Sequence, residues 1–242
     1  MKFVPVAVAA ALVASPGLAQ QPADPARLAL AQQVVGLVFP ASSFNLRLVR
    51  LAESMTGFAE GQVMSEELTA AEAAGPAAPP HGPALDPHEL RASLTRAVDV
   101  LAPSYQAAVA DAFARRFTGD QLRDMLAFFT SPDGATALAR RKAWSDRDAA
   151  APAPGVEAAA TPPYVETKAE RAFDASPTGV ALKRAQDEIG REATQVLQTH
   201  WPAAMVAARD DYCARQPCGE AERKVFAVLG RIWESPGAPP AA

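Results

Sequence analysis

The chain has 242 residues, a formal charge of −4 and 49% hydrophobic residues, enough for one sizeable core or two small ones. Its mild acidity is spread along the chain with no basic run, which argues against nucleic acid as a partner. Much of the apolar content is alanine, which buries little area, so a core has to come from Leu, Val, Phe and Met on the right faces.

Met1-Lys2 gives a short positive start, and Phe3 to Ala14 is an apolar run interrupted only by Pro5. Gly17 and Ala19 place small residues at the −3 and −1 positions of a cut before Gln20. This is the pattern of a Sec-type signal peptide over residues 1–19, with cleavage after Ala19. The run is too short to cross a bilayer core, which takes about 20 apolar residues. The mature chain is therefore expected to be periplasmic or secreted. No cysteine follows the cleavage region to carry a lipid, and charge breaks every later apolar stretch. No integral membrane segment is expected in the mature chain.

Helical period runs through almost every ordered segment, and no stretch alternates convincingly as a strand. The predicted fold class is all-α, a multi-helix bundle of antiparallel amphipathic helices with two Pro/Ala-rich loops. Residues 26–39 form a first helix stopped by Pro40. A longer one begins at Ser42, with Phe44, Leu48, Leu51, Met55 and Phe58 on its apolar face, and frays near Ala73. Pro and Gly make 74–87 a loop. Asp86 caps and Pro87 opens a helix with the stripe Leu90, Leu94, Val98, Leu101, Tyr105, Val109 and Phe113, which Pro103 kinks or divides.

Thr118 and Gln121 form a capping box for a helix that turns Leu122, Met125 and Phe129 inward and stops at Ser131. Ser131-Pro132 restarts the chain as N-cap and first helical residue, and that helix runs to about Trp144. Residues 149–163 are a low-complexity Pro/Ala linker. Beyond it, Ala172-Phe173-Asp-Ala-Ser176-Pro177-Thr-Gly179 echoes Ala127-Phe128-Phe-Thr-Ser131-Pro132-Asp-Gly134. Either an internal duplication or independent reuse of Ser-Pro capping explains the echo, the second being the simpler. A helix after Pro177 is expected to carry Leu182, Ile189, Val196 and His200 on one side. Helices over 202–215 and 220–233 follow. The organisation predicted is a helical domain over 20–148, the linker, a C-terminal helical segment over 164–234 and a disordered tail over 235–242.

Cys213 and Cys218 are the only cysteines, and an oxidising compartment favours their pairing. Five residues of straight helix rise about 7.5 Å, beyond the usual reach of a disulfide. The helix must therefore end between them, and Pro217 biases Gln216 away from helical dihedrals, so the pair reads as a staple of a helix end to its exit turn. The alternative is a redox pair, against which stands a spacing of four residues rather than the two of C-x-x-C.

The run Phe117 to Gly134, with the helix before it, resembles domain-of-unknown-function family 2059, a group of exported bacterial helical proteins. Phe117, Thr118, Leu122, Phe128, Ser131, Pro132 and Gly134 fit its hallmark. Gln121 stands where an acidic residue is common, and Phe129 where Tyr is common. The resemblance covers 89–145 and implies a periplasmic helical fold. It carries over capping, turning and packing groups and no catalytic residue.

Chemistry-bearing constellations are sparse. His81 and His88 flank a Pro-Gly loop with Asp86 and Glu89 nearby, but their separation is no recognised ligand spacing. His200 closes a helical face before Trp201-Pro202. Glu66-Glu67, Asp187-Glu188 and Asp210-Asp211 fall on polar faces. Nucleophile elbows, zinc-protease motifs and phosphate loops are absent. Phe113, Phe117, Phe128, Phe129 and Trp144 gather around the capping box, as the core of a helical hairpin or the lining of a partner groove. No catalytic, cofactor-binding or metal-binding residue is assigned, and no cofactor is expected. The sequence points to a non-enzymatic exported protein that binds an envelope protein or an apolar ligand. The alternative is a hydrolase or metal-binding protein with an unrecognised carboxylate/His site.

Overall fold

The computed structural model describes residues 24–74, 82–149 and 162–232. The expected signal peptide, His81, most of the Pro/Ala linker and the tail lie outside these residues. The described residues form nine α-helices and no strand: α1 (Pro25–Val38), α2 (Ala41–Ala74), α3 (Pro87–Asp99), α4 (Ala102–Arg116), α5 (Gly119–Thr130), α6 (Pro132–Ala149), α7 (Lys168–Asp174), α8 (Pro177–Cys213) and α9 (Glu220–Gly230).

Local chemistry sets most of the boundaries. Asp86 accepts from the N–H groups of His88 and Glu89, each at 2.9 Å, with Pro87 at the first helical position, where a missing N–H is harmless. Pro103 divides the expected long stripe, so α3 ends at Asp99 and α4 starts at Ala102. Thr118 and Gln121 exchange both capping-box hydrogen bonds, at 3.2 and 2.9 Å. Thr167 and Glu170 repeat the device at the start of α7, a short helix that the hydrophobic period does not separate.

Two apolar cores result. The first joins Leu48, Val49, Leu90, Leu94 and Val98 to Leu197, Trp201, Met205, Tyr212, Val225, Phe226 and Leu229, from α2, α3, α8 and α9. The second joins Val34 and Val35 of α1 to Val109, Phe113, Phe117, Leu122, Met125 and Ile189. Helix α8, about 55 Å long at 1.5 Å per residue, gives its N-terminal half to the second core and its C-terminal half to the first. Segments on both sides of the linker thus fill both cores.

Several expectations about helix faces and helix ends need correction. In α2 the buried row is Leu48, Val49, Ala52, Thr56, Ala59 and Val63, while Phe58 is 63% exposed. Ala52 and Ala59 carry almost no side chain, so neighbouring helices approach closely there and the larger residues are left on the flank. Phe44 on that flank stacks on Tyr105 with centroids 4.0 Å apart.

In α8 the helix continues through Pro202, although separate helices were expected on either side of it. Proline in a helix interior costs about 3 kcal/mol. Here Ile189, Ala193, Leu197, Trp201, Met205, Ala208 and Tyr212 keep one unbroken buried face across the position. Trp201 has no exposed surface and donates its indole N–H to the Leu229 carbonyl at 2.8 Å. Burial on both sides outweighs the lost hydrogen bond. The same register leaves His200 exposed rather than closing the apolar face.

Helix α6 also runs past Trp144 to Ala149. Arg47 donates to the Ser145 hydroxyl at 2.6 Å and Arg50 to the Asp146 carbonyl at 3.4 Å, tying its last turns to α2.

Candidate functional site

The two Ser-Pro joints use the same atoms in the same way. At the α5–α6 joint, Ser131 accepts from the Gly134 N–H at 3.1 Å, and its own N–H reaches the Phe128 carbonyl at 3.0 Å. At the α7–α8 joint, Ser176 accepts from the Gly179 N–H at 3.1 Å, and its N–H reaches the Phe173 carbonyl at 2.9 Å. A Cβ on Gly134 would collide with the Phe128 carbonyl oxygen, and one on Gly179 with that of Phe173. Both glycines are there because the backbone passes too close for any side chain. The echo in the sequence is therefore an equivalence in structure.

The two joints also face each other. The Phe128 and Phe173 rings stack with centroids 4.2 Å apart and planes at 7°, and Phe129 meets Phe173 at 5.6 Å. Leu138 and Leu182 complete a narrow notch of about 40 Å³, rimmed by Arg141, Asp174 and Glu170. Phe129, Phe173, Leu138 and Leu182 are only half-buried. Thr178 of α8 donates to Asp124 of α5 at 2.9 Å, a further tie between the joints.

A charged cluster fixes one wall. Glu170 is 1% exposed. One carboxylate oxygen accepts from Arg141 Nε at 2.7 Å and the Tyr164 hydroxyl at 2.8 Å, and the other from the Thr167 N–H at 2.7 Å. Burial alone would raise its pKa. The Thr167 N–H, the Arg141 guanidinium and the Tyr164 hydroxyl outweigh burial and hold it at about 2. A carboxylate so firmly ionised and so fully hydrogen-bonded is a structural anchor rather than a proton donor. For Arg141, burial opposes the charge, and Glu170, with Asp174 and Tyr164, more than restores it.

The family-like residues divide between core and notch. Phe117 is 2% exposed and Leu122 fully buried, both in the second core. Thr118 caps α5, and Phe128, Ser131, Pro132 and Gly134 build the first joint. The expected aromatic cluster separates: Phe113 and Phe117 pack together at 5.2 Å in the core, while Phe128 and Phe129 turn to the notch. Trp144 pairs instead with Tyr164 at 6.2 Å and donates to the Pro162 carbonyl at 2.7 Å. Sequence reasoning missed Glu170, Arg141, Leu138 and, as a notch residue, Phe173. The echo pointed to Phe173; nothing in the spacing pointed to Glu170.

Cys213 and Cys218 lie at disulfide distance with Cα atoms 5.0 Å apart. Helix α8 ends at Cys213, and the N–H groups of Arg215 and Gln216 turn back to the Tyr212 carbonyl. The side chain of His88 is 91% exposed and 3.9 Å from Glu89. Among the described residues, no group of three or more His, Cys, Asp or Glu side chains comes together as a metal site. No family model, curated protein or solved structure matches the chain.

Proposed function

We propose that this is an exported, non-enzymatic binding protein whose notch between the two Ser-Pro joints seats an apolar side chain of an envelope polypeptide. The observation that carries the reading is the grouping of Phe128, Phe129, Phe173, Leu138 and Leu182 around one notch. Apolar surface gathered in a recess and rimmed by charge is the common form of a polypeptide anchor site. The notch has room for one small branched side chain, while Arg141 and Asp174 on the rim offer a donor and an acceptor to the chain that carries it. The sequence pattern of residues 1–19 supports export with cleavage after Ala19.

A photo-crosslinking residue placed at Phe129 in the exported chain tests this reading. Crosslinks to a distinct envelope polypeptide from position 129, and none from Arg123 on the exposed side of α5, are the expected result. Equal labelling from both positions would remove the proposal. Fractionation of the same cells should yield a periplasmic protein beginning at Gln20.

A further inference from the structure

We propose that the Cys213–Cys218 pair, which lies outside the notch, is a site of thiol–disulfide exchange with a small carboxylate-bearing thiol, seated by Arg209 and Arg223. Cys213 lines an open hollow of about 440 Å³ together with Arg209, Asp210, Ala214 and Arg223. Arg209 is shared with Asp210 at 2.7 Å. Arg223, on the exposed face of α9, makes no ion pair among the described residues. Two arginines line the hollow with Cys213 and only Arg209 is ion-paired, which leaves a local positive charge in a chain of net charge −4. A guanidinium fork is well matched to a carboxylate.

The ends of two helices make the two sulfurs unequal. Cys213 is the last residue of α8, at the negative end of its dipole. Cys218 precedes Gly219, the N-cap of α9, at the positive end. Glu222 accepts from the Gly219 N–H at 2.8 Å and from the Ala84 N–H at 3.0 Å, so its own charge is already engaged. The helix ends thus favour charge on Cys218, while the arginines that line the hollow favour it on Cys213, so access rather than charge decides which sulfur is attacked. The incoming thiolate attacks Cys213, the cysteine of the pair that lines the hollow. A bond forms between the two sulfurs, the Cys213–Cys218 bond breaks, and Cys218 leaves with the electron pair as a thiolate. The incoming thiol is oxidised by one sulfur equivalent and Cys218 is reduced by the same amount. Attack of Cys218 on the mixed disulfide reverses the step.

The test compares glutathione, an anionic thiol, with cysteamine, a cationic one, on the oxidised full chain. Each rate is normalised to that thiol's rate with an uncharged small disulfide. Samples are quenched in acid, alkylated and peptide-mapped. Glutathione is expected to react about fivefold faster, the scale of one exposed ion pair, with the adduct on Cys213 and the alkyl group on Cys218. Arg209→Gln with Arg223→Gln should bring the ratio to one. A ratio of one or below in the unmodified chain, which the overall negative charge would by itself produce, overturns the proposal. So does an adduct on Cys218.

Discussion

Phe128 and Phe173 occupy corresponding places in two Ser-Pro joints and stack on each other, with ring centroids 4.2 Å apart. Each also offers its backbone carbonyl to the N–H of the serine that caps the next helix. One residue type thus ends a helix, shapes a turn and joins the two turns. The notch exists because the joints meet at these rings.

The glycines of the joints follow from that geometry. Gly134→Ala and Gly179→Ala should each cost about 2 kcal/mol or more, because the new Cβ meets backbone that cannot move independently. A methyl group at Gly190, on the exposed side of α8, would have nothing within 4 Å. Gly190→Ala should therefore stabilise by about 0.5–1 kcal/mol. Urea midpoints of the three variants test the contrast.

Acid should remove what the α6–α7 contact contributes to stability. Glu170 has its folded pKa depressed from an ordinary 4.5 to about 2. Its contribution is complete above pH 4.5 and fades as pH falls toward 2. Glu192, held low chiefly by the Arg116 hydrogen bond, fades in the same direction. Glu170→Gln should cost roughly 2 kcal/mol at neutral pH, and the deficit should vanish near pH 2. Unfolding free energies measured across that range give the comparison.

Trp201 anchors α9 across the proline in α8. Trp201→Ala should destabilise by about 3–5 kcal/mol through the cavity it leaves and the indole hydrogen bond it loses to the Leu229 carbonyl. Trp201→Phe should cost less, because the ring volume largely remains. Thermal unfolding monitored by far-ultraviolet circular dichroism distinguishes the two.

Removing the cysteine pair should have a modest structural effect. Cys213→Ser with Cys218→Ser should cost about 2 kcal/mol, the expectation for so short a closed loop. Chemical denaturation without reductant measures it. A much larger loss would mean that the α8–α9 turn depends on the pair for its fold.

The sequence was most informative where local chemistry decides. Asp86-Pro87, Thr118–Gln121 and Ser131-Pro132 each set a helix boundary through atoms within a few residues of one another, and each is found where expected. Pro202 was misread because its cost is local while its compensation is not: Trp201 reaches Leu229, in another helix. The α2 face was misread because large side chains were assigned inward, whereas Ala52 and Ala59 let helices come closer than Phe58 could allow. The notch was half-legible. Its first joint lay in the family-like segment and its second in the echo, but their meeting is a tertiary event. Glu170 was invisible for the same reason, since Arg141 approaches it from α6, across the linker.

The most direct measurement is a double-mutant cycle on Phe128→Leu and Phe173→Leu, read from unfolding free energies. Rings that stack as described should couple by about 0.5–1.5 kcal/mol beyond their separate costs. Strict additivity would show that the two joints do not meet, and the notch built from them would not exist.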